Sequence, residues 1–181
     1  AEILDAVKRA PSEKVIILPN NENIVMTARE AAAASGKQAA VIPTRSIPQG
    51  ISALIALKPD ASLEGNASTM EAMAGTVQTG EITSAIRAGR SGEVAFEAGQ
   101  SIGILDGELI AAADSHVDVF RHLLERMQAQ EKSLLSIYWG TDASPTETER
   151  MLSYVKQRYP SLEVEVVEGG QPHYPYIISI E

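Results

Sequence analysis

AAVIPTRSIPQGISALIAL (Ala39–Leu57) reads as a buried strand, a tight turn and a capped helix. The run up to Thr44 is short and apolar, as a strand covered on both faces must be. Ser46 then offers a side-chain oxygen to the orphan N–H groups of a helix start. Pro48 falls in the first turn, where its missing N–H costs nothing. Ile51, Leu54, Ile55 and Leu57 give this helix a broad apolar face. Upstream, VIILP (Val15–Pro19) is a second strand of the same kind. Asn20, Asn21 and Asn23 follow it, each suited to cap a helix that starts near Ile24 and stops at Gly36. A helix between two strands returns the chain in the same direction, so these strands are expected to pair in parallel. A third helix is expected from Leu63 towards Val77, weakened by Gly65 and Gly75.

The pattern changes after Thr79-Gly80. ITSAIRAG, VAFEAG, QSIGIL and ELIAAAD read as strands, and Asp106-Gly107 between the last two is a hairpin signal. Val117, Phe120, Leu123, Leu124 and Met127 mark one face of a helix from about His116 to Gln130. LLSIYWG is a strand. Ser144-Pro145-Thr146-Glu147 has the spacing of a capping box with Pro at the first helical position. LEVEVV alternates as a strand does, Gly169-Gly170 breaks it, and YIISIE is the last strand. The fold class is therefore α/β in two contiguous lobes. Residues 1–13 form an N-terminal helix or linker, residues 14–79 a βαβα lobe with parallel strands, and residues 80–181 a mixed sheet with two helices.

The chain has 181 residues, 44% of them apolar and only 4% aromatic, so aliphatic side chains must fill its core. A net charge of −9 argues against a nucleic-acid partner, which needs clustered Lys and Arg, and against an anionic membrane surface. It favours a partner with a basic patch. There is no cysteine, hence no disulfide and no thiolate-bound zinc. No apolar run reaches the ~20 residues of a membrane helix. A cytoplasmic location is expected. The chain opens without Met, as a piece of a longer protein would.

Asp114, His116 and Asp118 place oxygen and imidazole close together. Helix capping explains them better than a metal does: Asp114 or Ser115 is the cap, Asp118 suits the positive end of the helix dipole, and residues 116 and 118 point to different faces. GxSxG, GxxxxGK[ST] and GxGxxG are all absent, so neither a nucleophile elbow nor a phosphate loop is expected. No catalytic residue and no bound cofactor or metal is assigned to this chain. The binding candidates are turn residues. Asn20, Asn21, Arg45 and Ser46 lie in the turns after the first two strands, and in the second of these, Thr44–Gly50, a helix N-terminus and Arg45 suit an anion. Gln171, His173, Tyr174 and Tyr176 lie in EGGQPHYPYIISIE, whose Pro172 and Pro175 stiffen the backbone. This second stretch is either a recognition loop or a structural one.

ILPNNENI, VIPTRSIPQGISALIAL, TGEITSAIR, IGILDGELI, YWGTDAS and GGQPHYPYIISIE resemble, in order, the C-terminal third of the YloV-type, dihydroxyacetone-kinase-like proteins, which are the A subunits of bacterial fatty acid kinases. The resemblance runs from about Lys14 to Glu181. It implies that the full chain carries an ATP- and magnesium-binding kinase domain and a middle domain, and forms acyl phosphate. It implies that the present part docks the separate protein that carries the fatty acid. The element order is also similar to the DegV-like fatty-acid-binding carriers themselves, although no TSQPS-like or SGTY-like segment occurs here. That second similarity implies the alternative function, a small-ligand or lipid-binding module.

Overall fold

A computed structural model describes all residues, 1–181, as two compact units, Ala1–Val77 and Gln78–Glu181. The first unit contains α1 (Glu2–Arg9), β1 (Lys14–Ile17), α2 (Glu22–Ala34), β2 (Gln38–Val41), α3 (Ile47–Ile55) and α4 (Leu63–Ala74). β1 and β2 pair in parallel, with Val15 opposite Ala39 and Ile17 opposite Val41. The starts of α2, α3 and α4 are each capped by a short polar side chain. Asn21 accepts from the Asn23 N–H, Ser46 from Gln49 and Ser62 from Gly65. Gly36, at φ +75°, carries the chain out of α2 in the left-handed conformation that glycine tolerates. The core is small: Ile42, Ala53, Met70 and Ala74 are buried, with Ile16 and Leu18 against them. Asn66 stitches the turn after α3, accepting from the Lys58 N–H and donating to its carbonyl, both at 2.8 Å. The N-terminal segment is helical and buries Val7, and Lys37 Nζ bonds the backbone carbonyls of Ala10 and Ser12.

The second unit contains β3 (Gln78–Ser84), β4 (Gly89–Ser91), β5 (Val94–Phe96), β6 (Ser101–Leu105), β7 (Glu108–Ala113), α5 (His116–Arg126), β8 (Leu134–Trp139), α6 (Pro145–Arg158), β9 (Glu163–Glu168) and β10 (Tyr176–Ile180). Six strands form one mixed sheet in the order β7-β6-β3-β10-β8-β9, in which only β8 and β9 run parallel. Asp106 (φ +48°) and Gly107 (φ +90°) make the two-residue turn between β6 and β7. Tyr176, Ile178 and Ile180 of β10, Leu135 and Ile137 of β8 and Ile82 of β3 meet Phe120, Leu123 and Leu124 of α5 and Met151 and Val155 of α6 in one continuous core.

Three local readings need correction. The strand expected over ITSAIRAG stops at Ser84. Ala85 turns to bond Gln100, and Ile86 stands 97% exposed, so its apolar character reports no burial. Val94–Phe96 pairs with Gly89–Ser91 as a separate small hairpin, outside the main sheet. The helix expected to reach Gln130 ends at Arg126, because Gln128 adopts φ +55° before a short 3-10 turn.

Gly103 of β6 lies against α5. A Cβ there would lie 2.6 Å from Val119 Cγ1, well inside contact distance. Gly103→Ala therefore forces a shift of a β-branched side chain that is itself fully buried. The expected cost is about 1–3 kcal/mol, seen as a lower urea midpoint with an unchanged slope.

Candidate functional site

The turns after β1 and β2 carry the first group of candidate residues. Asn20 sits at φ +54°, and its N–H donates to Thr44 Oγ1 at 3.1 Å. Its side-chain oxygen is buried without a hydrogen-bond partner and lies where a Cβ on Gly50 would stand, so α3 approaches this turn only because residue 50 is glycine. Asn21 and Ser46 spend their oxygens on the caps of α2 and α3. The Arg45 N–H donates to Gln49 Oε1 at 2.8 Å, which fixes the turn. Its guanidinium reaches outward, 3.9 Å from Glu22, as an exposed cation. The four residues thus come together, with the Arg45 guanidinium exposed.

The second group lies in the other unit. The loop before β10 is held by the backbone of the turn after β8: the Gly140 N–H donates to the Pro175 carbonyl at 2.8 Å and Thr141 to that of Gln171 at 3.1 Å. Gln171 Nε2 donates to the carbonyls of Tyr138 and Tyr174. His173, at φ +70°, is exposed, and its carbonyl accepts from Thr83 Oγ1 at 2.6 Å. Tyr174 is half-buried. Burial first, and then the charge of Glu81, push its phenol above the ordinary tyrosine value.

Tyr176 is not a loop residue available for recognition. It is fully buried, and its hydroxyl donates to the Ser144 carbonyl at 2.9 Å while accepting from the Ser144 N–H at 3.1 Å. Gln171 is likewise committed to the fold. His173 and Tyr174 remain as the accessible groups of this loop.

Asp114, His116 and Asp118 go three separate ways. Asp114 accepts from Gln100 Nε2. Asp118 accepts from the Ser115 hydroxyl at 2.7 Å, pairs with Arg121, and gives its N–H to the Ser115 cap. His116 Nδ1 donates to Glu147 Oε2 at 3.0 Å. That bond also explains why the capping box at Ser144 does not form: Ser144 caps nothing with its side chain, and Glu147 is turned towards α5. No local pattern signals the His116–Glu147 pair, whose members lie 31 positions apart. No group of three or more His, Asp or Glu side chains is arranged to hold a metal ion.

Over residues 1–181 the sequence matches the family model of FakA-like C-terminal domains of fatty acid kinases. The chain belongs to that family. Protein YloV of Bacillus subtilis (strain 168) is 36% identical to it over 180 residues, which cover 99% of this chain and 32% of YloV. The FakA-like domain thus spans about a third of the length of the curated relatives it matches. Its fold is DegV-like. A DegV family protein from Eubacterium eligens, solved with heptadecanoic acid, superposes with a TM-score of 0.66 over 98% of this chain and 77% of that one, at 15% identity. The Streptococcus pneumoniae fatty acid kinase B3 protein, loaded with linoleic acid, gives 0.68 over 98% and 75%, at 8% identity. No helix of the FakA-like domain is long and apolar enough to cross a membrane.

Two measurements check the assignments made here. Tyr176→Phe leaves the Ser144 N–H without its acceptor and is expected to cost about 1–2 kcal/mol in chemical denaturation. Glu81 is a carboxyl raised above the ordinary glutamate value, first by burial and then by the Asp106 carboxylate. The native state therefore holds this proton more tightly than the unfolded chain. The stability it contributes is complete at acid pH and is lost as pH rises through the raised native value. Glu81→Gln is expected to melt higher than the parent at neutral pH, with the difference closing as pH falls towards about 4.3.

Proposed function

We propose that this FakA-like domain docks a DegV-like, fatty-acid-carrying protein, so that a kinase domain elsewhere in the full-length protein forms acyl phosphate on the carried lipid. The observation that supports it is the match over the whole chain to the C-terminal region of FakA-like fatty acid kinases. ATP and magnesium then belong to the kinase domain, and the middle and kinase domains are further partners within one polypeptide. Arg45 is a good anchor: it is a cation in a chain of net charge −9 and rises from a rigid turn. Tyr174 and His173 offer a second contact on a loop whose backbone is already fixed, which limits the entropy lost on binding.

A lipid- or small-ligand-binding role is the second reading. It draws on the shared fold of the E. eligens and S. pneumoniae proteins, both solved with a fatty acid. Native mass spectrometry of the domain after bacterial expression separates the two: a retained fatty acid favours ligand binding.

Docking is tested by titrating the domain with the fatty-acid-loaded DegV-like protein of the same organism. Arg45→Ala and Tyr174→Ala are each expected to weaken binding by about 1–2 kcal/mol while the melting temperature holds. Absence of binding at high micromolar concentration, with the full-length protein binding normally, overturns the docking reading.

A further inference from the structure

From Ile47 to Leu57 the chain carries no charged residue, yet α3 is not buried. Its inward side is made of small groups, Pro48, Gly50, Ser52 and Ala53. Its outward side is made of large ones. Ile47 is 47% exposed, Ile51 39%, Leu54 56% and Ile55 77%. At 3.6 residues per turn these four positions fall within about 100° of arc, one continuous stripe. Their exposed surface amounts to about 400 Å², within the range of the largest apolar patch on an ordinary monomer, and such patches mark interaction sites. Arg45 precedes the stripe and Lys58 follows it.

We infer that this outer face of α3 is the surface on which the fatty-acid-carrying protein seats. The inference rests on the docking role proposed above and gives that role a location. Size and charge select this occupant. A second copy of the chain held by the stripe would bury about half of the ~800 Å² per partner that a stable complex uses. A carrier that delivers lipid and leaves needs a small contact of the transient class. The chain's net charge of −9 repels an anionic membrane. The matching surface on the carrier is an apolar groove with carboxylates only at the two ends that meet Arg45 and Lys58, set within the basic surface that the chain's net charge of −9 favours.

The test compares Ile55→Glu with Met26→Glu. Both replace an exposed apolar residue by a charge, but Met26 lies on α2, outside the stripe. Each variant of the 181-residue chain is titrated with the purified carrier bearing its fatty acid, and melting temperature and sedimentation are recorded. Ile55→Glu is expected to weaken carrier binding at least tenfold with melting unchanged, while Met26→Glu binds as the parent does. Equal binding by parent and Ile55→Glu overturns the assignment of this face and leaves the docking role standing. A parent that fails to bind the carrier overturns both. A parent that sediments as a dimer, which Ile55→Glu splits without loss of carrier binding, shows the stripe to be a self-contact and overturns the assignment.

Discussion

Strand β10 is the constraint on which the larger unit depends. All five of its residues are buried, and both of its edges are paired, antiparallel to β3 on one side and to β8 on the other. One register therefore locks two halves of the sheet. Tyr176, Ile178 and Ile180 must all point to the helices at once, because a slip by one residue would exchange them for Ile177 and Ser179. The Tyr176 hydroxyl extends the same lock to the start of α6 by bonding both backbone groups of Ser144. Gly80 belongs to this arrangement as well: it lies opposite Ile178, and a Cβ there would stand 2.7 Å from that side chain.

The polar groups at the helix starts show a division of labour. In the smaller unit, Asn21, Ser46 and Ser62 are used locally, each closing the helix it precedes. In the larger unit the equivalent groups at the start of α6 are used at long range. Glu147 bonds His116 and Ser144 bonds Tyr176, so α6 is attached to α5 and β10 at its first turn. Because its polar groups are occupied locally, the exposed surface of α3 is left to apolar side chains and to the cation that precedes them.

What is legible in the sequence follows from range. The parallel pair β1–β2, the Asp106-Gly107 turn, the Ser46 cap and the amphipathic α5 depend on nearby residues and on the sense of one crossover, and each is readable from the residues. So is the grouping of Asn20, Asn21, Arg45 and Ser46, since two parallel strands joined by a helix bring their following turns to one end. The capping box at Ser144 misleads because a competitor for Glu147 comes from another helix. Ile86 misleads because an apolar residue in a turn looks the same as one in a strand. Tyr176 has the proline neighbours of a loop residue; only pairing with two distant strands draws it into the core.

The place of β10 also bears on how the unit is made. It is the last of the ten strands in chain order, yet it lies between β3 and β8, and its partner residues in β3 precede it by almost a hundred positions. On the ribosome, β3, β6 and β7 emerge first and β8 and β9 later, and no strand pairing joins the two groups until β10 arrives. During that interval one edge of β3 and one edge of β8 are open to foreign strands. Loop closure over such a distance is slow compared with local hairpin formation. Folding of this unit thus ends with an insertion rather than an addition, and the two sheet edges stay open until β10 has emerged.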